Sequence, residues 1–336
     1  MGKIKEFLAA SGGAARTHGT LAVGSMASGM RIELPYVALR GARPGKTLWL
    51  HGQVHGDEIN GMVAALRFAR GLDPAQLSGN LVVTPTGNPH ALDSRRKRNP
   101  YDELDLDQCY PGNAAGLISE RLAHVLIEEI RGCADLLINL HTMNPLFDSK
   151  LYAVYKVHPD SGVAEHDLLR AIALFEPNVA CRMDVGGAGE LPGNIAGALD
   201  YQCLAMGVPA FMLELGGGSR YEAVNVEAAE QGFARLARQM GILPPGGTAG
   251  PGSVRRVTRR GWLTFAHGGL FVPEVAAGAT LPAGACLGRA INLFGEDTEA
   301  ITLAQPGIVI GLRRDPVAHT GERAAFVARE WDEVAV

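Results

Sequence analysis

Short apolar runs alternate with helical patterns over the larger, N-terminal part of the chain. The runs predict buried strands, and apolar positions repeating every three or four residues predict helices. The predicted strands cover residues 47–50, 80–84, 135–140 and 209–213, and the predicted helices cover residues 58–70, 117–131, 164–175, 195–206 and 226–240. A weaker alternation over residues 20–40 predicts a hairpin or edge strands. This order is typical of an α/β domain with a mostly parallel or mixed central sheet flanked by helices.

The pattern changes at residues 244–254, a Pro- and Gly-rich stretch that predicts a linker between an α/β domain over residues 1–243 and a second domain. Residues 255–336 contain short apolar runs separated by Gly or Pro, which predict a small all-β domain. Its hairpin spacing is similar to that of biotinyl and lipoyl carriers, but those attach their cofactor to a lysine and no lysine follows Lys156. A carrier role is therefore excluded, and a packing, lid or assembly role remains.

Composition narrows the classes of function. With 47% hydrophobic residues and a net charge of -4 over 336 residues, the chain has the composition of an ordered globular protein without a concentrated basic face. No apolar run approaches the roughly 18 residues that a bilayer-spanning helix needs. The five cysteines form neither a CxxC pair nor an even framework, which favours reduced thiols in the cytoplasm. We therefore expect a cytoplasmic protein without a nucleic-acid or membrane partner, whose oligomeric state stays open to a homo-oligomer.

The first candidate for chemistry is the turn between the strand at 47–50 and the following helix. His55 and Glu58 lie three residues apart on this turn, between Gly52 and the helical pattern. An imidazole and a carboxylate that converge on one point suit zinc, provided that a third ligand arrives from elsewhere. An HxxE pair by itself fits a polar turn with an acid at a helix N-terminus equally well.

Two further ionisable residues follow predicted strands. His141 follows the strand at 135–140, and Glu214 follows the strand at 209–213. Because ligands of open α/β sheets bind outside the carboxyl ends of the strands, these side chains and His55 are expected at one edge of the sheet. Each of them alone is explained as a structural residue, but three at one edge favour a site.

Five short motifs together resemble one known family. They are His55-Gly-Asp-Glu58, Gly87-Asn-Pro-His-Ala91, Asp105-Leu-Asp-Gln108 with Tyr110-Pro-Gly112, Leu140-His-Thr142 and Glu214-Leu-Gly-Gly217. In this combination and order the chain is similar to the succinylglutamate desuccinylase/aspartoacylase family of the zinc carboxypeptidase superfamily. The resemblance covers roughly residues 20–240, and the C-terminal β domain also fits it.

The resemblance implies one zinc ion per chain, held by His55, Glu58 and His141. It implies that Glu214 is the general base, which takes a proton from the attacking water and returns it to the leaving amine. Asp105 corresponds to the acid that orients a ligand imidazole, although an aspartate in an acidic loop has an ordinary structural explanation too. Asn88 is carried over as a substrate-binding residue.

The long segment 85–112, predicted to be a functional or mobile loop, departs from the family pattern. Asp107 and Gln108 replace the Asn-Arg pair that holds a substrate carboxylate in relatives. An arginine fork is hard to replace in that task, and Asp107 would repel a carboxylate. The family also places an arginine nine residues after Asn88 to polarise the scissile carbonyl. That spacing selects Lys97, with Arg96 and Arg98 as alternatives.

The leading hypothesis is a zinc amidohydrolase that removes the acyl group from a small N-acyl compound, with Asp107 and Gln108 among its substrate-binding residues. The charge of Asp107 favours an N-acylated diamino acid, or another neutral or cationic amide, over N-acyl-aspartate and N-succinyl-glutamate. A metallocarboxypeptidase is one alternative, although the lost Asn-Arg pair removes the grip on a peptide C-terminus. A metal-binding homologue without activity is the other, and the retained Glu214 argues against it.

Overall fold

The computed structural model describes residues 2–185, 193–247 and 250–336. The helices are α1 (Lys3–Ala9), α2 (Asn60–Gly71), α3 (Pro89–Ser94), α4 (Ile118–Ile130), α5 (Glu165–Ala173), α6 (Leu199–Ala205) and α7 (Ala223–Gln239), with short 3-10 turns at Pro74–Gln76, Leu106–Gln108 and Ile195–Gly197. The strands before residue 244 are β1 (Ala15–Ser25), β2 (Arg31–Arg40), β3 (Arg43–Gly52), β4 (Ser78–Thr84), β5 (Leu136–Met143), β6 (Phe147–Ser149), β7 (Tyr152–Lys156), β8 (Ala180–Met183) and β9 (Ala210–Gly217). Those after it are β10 (Ser253–Thr264), β11 (Gly269–Pro273), β12 (Thr280–Leu281), β13 (Cys286–Ile291), β14 (Asp297–Thr302), β15 (Gly307–Arg313), β16 (Val317–Ala318) and β17 (Arg323–Ala335).

A mixed sheet forms the centre of the molecule. Its strands follow the order β1-β2-β4-β3-β5-β9-β7-β8-β10-β17-β15-β12. The central pairs β4–β3, β3–β5 and β5–β9 are parallel, whereas β1–β2, β2–β4 and β7–β9 are antiparallel. The predicted hairpin over residues 20–40 is the β1–β2 pair. The predicted fold class, a mixed α/β sheet with flanking helices and an all-β C-terminal region, is confirmed.

Both faces of the central strands are covered by helices. Leu48 and Leu50 of β3 face a core closed by α2, α5 and α7, whereas Trp49 between them faces a core closed by α1, α4 and α6. All three side chains have no exposed surface. Burial on both faces explains why these strands are continuous apolar runs rather than alternating ones. None of the described helices is long and apolar enough to cross a bilayer.

The C-terminal region contributes to two sheets. Its strand β10 pairs in parallel with β8 through Arg256–Ala180 and Val257–Cys181, so the central sheet continues into β10, β17, β15 and β12. A separate sheet has the order β14-β13-β11-β16. The boundaries 1–243 and 255–336 stay a prediction, and residues 248–249 of the predicted linker 244–254 lie outside the described residues.

Several elements differ from their predicted extents. β5 and β9 extend through His141 and Glu214, so both residues lie within their strands, near the carboxyl ends, rather than after them. The predicted loop 85–112 contains α3 and the 3-10 turn at Leu106–Gln108, and the predicted helix 195–206 is a 3-10 turn followed by α6. The strands β6, β7 and β8 were not predicted, because each has five residues or fewer and none shows a clear period.

Candidate active site

The chain leaves β3 at Gly52 and turns through residues 53–59 into α2. A side chain at Gly56 would bring its Cβ within 1.8 Å of the Ala91 carbonyl oxygen, so the close approach of this turn to α3 requires glycine. Asn60 Nδ2 donates to the Leu215 carbonyl at 2.8 Å and thereby ties the start of α2 to the end of β9. The turn is consequently held beside the carboxyl ends of β5 and β9.

His55, Glu58 and His141 meet at this edge of the sheet. His55 Nδ1 is 2.7 Å from Glu58 Oε1, and His141 Nδ1 is 2.8 Å from Glu58 Oε2. One potential ligand atom from each residue lies within 4.8 Å of the other two, and all three residues are buried. Two imidazole nitrogens and a carboxylate form the donor set of many hydrolytic zinc sites, so the residues present fit a zinc ion.

Asp105 holds His55 from its other side. Asp105 Oδ1 is 3.0 Å from His55 Nε2, and Asp105 Oδ2 is 3.3 Å from Lys97 Nζ. The carboxylate also accepts from the backbone N–H of Asp107 at 3.2 Å, which fixes it at the start of the 3-10 turn. An acid in this position sets the tautomer and the ring orientation of the imidazole.

The cluster is strongly polarised. Burial favours the neutral imidazole, but the charges and hydrogen bonds of Glu58 and Asp105 outweigh it and raise the pKa of His55 to about 10. The pKa of His141 is also raised, against the effect of its burial, mainly by Glu58. The two imidazoles in turn hold the pKa of Glu58 well below its usual range in spite of its burial. The carboxylates thus attract positive charge to the point where the three residues converge.

Glu214 lies next to this cluster without belonging to it. It is the register partner of His141 across β5 and β9, and of Tyr152 across β9 and β7. Its Oε2 atom is buried and has no hydrogen-bond partner among the described residues. Burial, reinforced by the charge of Glu58, raises the pKa of Glu214 to about 7. A carboxyl group with that pKa can both accept and release a proton near neutrality.

The cationic segment after α3 places its members differently. Lys97 lines the cavity beside Asp105, whereas Arg96 Nη1 lies 3.5 Å from Glu103 Oε1 and Arg98 Nη1 donates to the Glu103 carbonyl at 3.4 Å. The side chain of Lys97 is half exposed, so its ammonium reaches the opening of the site. Lys97 therefore lines the cavity, whereas its two neighbours contact Glu103.

The three predicted substrate-binding residues also have different positions. Asn88 is fully buried, and its side chain caps α3 by accepting from the Ala91 N–H at 3.3 Å, a helix-capping position outside the cavity wall. Asp107 lines the cavity and accepts from Asn139 Nδ2 at 3.3 Å. Gln108 lines it too, and its Oε1 accepts from the Asn194 N–H at 3.2 Å. Asp107 and Gln108 thus line the cavity and Asn88 caps α3, while the substrate-binding role of all three stays a prediction.

The cavity in front of the cluster has a volume of about 510 Å³. Its wall includes residues that the sequence analysis did not identify, from β7 and from the C-terminal strands: Tyr152, Val154, Lys156, Arg260, Trp262, Arg313, Arg323 and Phe326. Among them Lys156 is 1% exposed, and its Nζ lies 2.8 Å from both carboxylate oxygens of the fully buried Asp200. The cavity is large enough for a small amino-acid derivative.

A protein-family model and a known relative both match a large part of the chain. The model of the succinylglutamate desuccinylase/aspartoacylase catalytic domain matches residues 44–240. An N-alpha-acetyl-L-2,4-diaminobutyric acid deacetylase of Halomonas elongata is 24% identical over 207 residues, which are 59% of this chain and 56% of that protein. The match thus spans little more than half of the length of that relative.

Solved structures share the fold over nearly the whole chain. The product-bound ectoine utilization protein EutE of Ruegeria pomeroyi has a TM-score of 0.81 at 23% identity, with 95% of this chain and 97% of that chain covered. A succinylglutamate desuccinylase/aspartoacylase of Rhodobacter sphaeroides has a TM-score of 0.80 at 24% identity, with 96% and 97% covered. At this level of identity the likeness concerns the fold, and it includes the C-terminal strands.

Proposed function

The chain belongs to the succinylglutamate desuccinylase/aspartoacylase family, whose model matches residues 44–240, and from this premise we propose that it is a zinc-dependent deacylase of a small N-acylated diamino acid. Membership makes the chain a hydrolase of non-peptide carbon–nitrogen bonds in linear amides. The observation that supports the proposal most is the convergence of His55, Glu58 and His141 within 4.8 Å, with Glu214 beside them at the cavity.

His55, Glu58 and His141 would hold the metal, with Asp105 fixing the orientation of His55. A bound zinc ion would supply Lewis acidity, which lowers the pKa of water and polarises a carbonyl group. The high pKa of His55, about 10 without a cation, indicates how strongly the surrounding carboxylates favour positive charge at this point. A divalent ion would replace the protons that the two imidazoles otherwise carry.

Glu214 would move the protons of the reaction. Its buried Oε2 atom is available to accept a proton from the water that attacks the amide carbonyl. With a pKa of about 7, the resulting carboxylic acid can then donate that proton to the nitrogen of the leaving amine. One carboxyl group thus serves both steps. The second step is needed because an amine leaves poorly without protonation.

Lys97 would stabilise the charge that develops on the carbonyl oxygen. Its ammonium lies at the cavity opening, 3.3 Å from Asp105 Oδ2, and is the member of the segment 96–98 that reaches the site. A fixed cation beside a developing oxyanion lowers the barrier more than it lowers the energy of bound substrate. Asp105 therefore has two tasks, since it holds Lys97 as well as His55.

Asp107 supports a substrate with a second, cationic amino group. It occupies the position of the family's asparagine, lines the cavity and lies near Lys156, whose charge is already offset by Asp200. Asp107, Lys156 and Asp200 together consequently carry a net negative charge. A relative is named for deacetylation of Nα-acetyl-2,4-diaminobutyrate, an N-acyl amino acid whose free side-chain ammonium would complement Asp107.

The proposal is tested by metal analysis and by a substrate panel. We expect about one zinc ion per chain and the highest kcat/KM for Nα-acetyl-2,4-diaminobutyrate among acetylated and succinylated amino acids. The Glu214→Gln variant should bind zinc and lose at least ~10³-fold in kcat, since the general base is removed. The Glu227→Gln variant, which alters an exposed acid on α7, should behave as wild type.

Two outcomes would contradict it. Fastest turnover of N-acetyl-aspartate or N-succinyl-glutamate would refute the assignment of a diamino substrate. Bound zinc with equal activity in wild type and Glu214→Gln would instead indicate a metal-binding protein without the proposed chemistry.

A further inference from the structure

The C-terminal strands contribute to the wall of the cavity, which Asp107 also lines. Arg260 and Trp262 of β10 occupy alternate positions and therefore share a face of the sheet. Arg260 is 7% exposed, and its guanidinium carbon lies 5.4 Å from the centre of the Phe326 ring. The side chain thus brings a cation into a largely apolar part of the cavity wall.

Arg260 lies close to the proposed reaction centre. Tyr152 stands opposite Glu214 in the β7–β9 register, and the charge of Arg260 acts on the Tyr152 phenol. Burial lowers the pKa of Arg260 to about 10, still far above neutrality, so the group is a desolvated cation under physiological conditions. Tyr152 therefore interacts with both Glu214 and Arg260.

The other cations of the wall have partners within the chain, three of them carboxylates and one an aromatic ring. The contacts are Lys97 with Asp105 at 3.3 Å, Lys156 with Asp200 at 2.8 Å and Arg313 with Glu322 at 3.0 Å. Arg313 in addition donates to the carbonyls of Asp315 at 3.0 Å and Arg323 at 3.4 Å. Arg323 is exposed and lies over the ring of Trp262 at 4.4 Å. Arg260 also has interactions within the chain, and its charge acts on Tyr152, the register partner of Glu214.

Building on the proposed function, we infer that Arg260 binds the carboxylate of the N-acyl amino acid, in place of the arginine that relatives carry at position 108. A guanidinium offers five N–H donors in a planar fork that matches a carboxylate. Arg260 has further interactions within the chain, so a substrate carboxylate would share its donors with them or displace them. The carboxylate would then lie on the C-terminal wall and the second amino group near Asp107, with the amide between them at Glu214.

The test compares two ligands that differ only in the carboxylate, Nα-acetyl-2,4-diaminobutyrate and its carboxamide. Hydrolysis of both is measured with the zinc-loaded wild type, Arg260→Met, Arg260→Lys and Arg259→Met. Arg259 is the matched control, because it precedes Arg260 on β10 but is exposed and pairs with Glu330 at 3.0 Å. Calorimetric binding of both ligands is measured separately in the Glu214→Gln background, with and without Arg260→Met, so that one readout needs no turnover.

We expect Arg260→Met to weaken the carboxylate ligand about 10- to 100-fold, the size of a charge-assisted hydrogen bond, and to change the carboxamide less than 3-fold. The loss should appear mainly in KM and in the binding constant. Arg260→Lys keeps the charge without the fork and should show a smaller loss confined to the same ligand. It also provides the comparison if Arg260→Met folds poorly. Arg259→Met should retain the wild-type ratio.

Equal weakening of both ligands by Arg260→Met would show a structural role for Arg260 and overturn the inference. An unchanged ratio of carboxylate to carboxamide affinity, or no calorimetric binding of the carboxylate ligand, would overturn it too. Hydrolysis of N-acyl amino acids with an unchanged ratio would leave the proposed function intact and refute only the carboxylate site. Conversely, Arg260-dependent selection of the carboxylate without hydrolysis would support the site and refute the proposed function.

Discussion

Asp107→Asn isolates the charge that we assign to recognition of the substrate's second amino group. The change is nearly isosteric, and it introduces the residue that relatives carry at this position. Asp107 accepts from Asn139 Nδ2 at 3.3 Å, a contact that an asparagine oxygen can still accept. The substitution therefore removes a negative charge from the cavity wall and little else.

The size of the effect follows from the local charges. Asp107 and Asp200 carry two negative charges and Lys156 one positive charge, so these three interacting side chains have a net charge of -1. An ammonium at ~4 Å and an effective dielectric constant of ~20 would gain about 4 kcal/mol of Coulomb energy. Desolvation reduces this to about 1.5–3 kcal/mol, which corresponds to roughly a 10- to 150-fold preference.

The assay compares kcat/KM for Nα-acetyl-2,4-diaminobutyrate and N-acetyl-2-aminobutyrate, which lacks the ammonium. Asp107→Asn should lower the ratio of the two by roughly 10- to 150-fold, whereas Asp93→Asn on the exposed side of α3 should leave it unchanged. Burial raises the pKa of Asp107, so the wild-type ratio should fall as the pH decreases through that raised value and the carboxylate is neutralised. A ratio that stays within 3-fold of wild type in Asp107→Asn would refute this account of selectivity.

Three further predictions concern the metal, the cation and the buried ion pair. Lys97→Met should reduce kcat about 10²-fold or more, as loss of an oxyanion donor does, with partial recovery in Lys97→Arg; equal rates in all three proteins would exclude Lys97 from the reaction. Removal of zinc by a chelator should lower Tm by several degrees without loss of secondary structure, because Glu58 also bonds to His55 and His141 without zinc. In scanning calorimetry, Glu58→Gln should abolish the difference in Tm between the zinc-loaded and zinc-free protein. Asp200→Asn leaves Lys156 buried without its carboxylate and should cost about 3–5 kcal/mol in denaturant unfolding; a cost below ~1 kcal/mol would show that the pair is not needed for stability.

Local signals account for the part of the site that was predicted from sequence. The strand over residues 47–50 ends at a glycine turn, and the helical pattern starts a few residues later, so His55 and Glu58 could be placed on the connection. His141 and Glu214 each follow an apolar run, and parallel strands bring their carboxyl ends together. The structure brings these four side chains to one edge of the sheet. The glycine and asparagine contacts that hold the turn were not predictable, because they join it to α3 and β9.

Asn88 also has a local explanation for its position. Asn88 precedes Pro89, and Asn followed by Pro is an ordinary signature of a helix N-terminus. The motif match favoured a substrate-binding role, which stays a prediction, and in the structure Asn88 Oδ1 accepts from the Ala91 N–H. A family motif can therefore include a residue that holds the loop.

Substrate selectivity was less predictable from the sequence than the type of reaction. The residues that we assign to selectivity are brought together by contacts between distant parts of the chain. Tyr152 and Lys156 lie on β7, a five-residue strand whose last side chain is a lysine, a residue type that is almost never fully buried without a partner. That partner, Asp200, follows 44 residues later on α6. Arg260 reaches the cavity because β10 extends the central sheet through β8, and no pattern within either strand specifies this pairing. Motifs of adjacent residues thus indicate the reaction, whereas the residues that we assign to substrate preference lie in part on β7, α6 and β10. We therefore expect relatives that share the zinc motif but differ at positions 107, 156, 200 and 260 to differ in substrate rather than in mechanism.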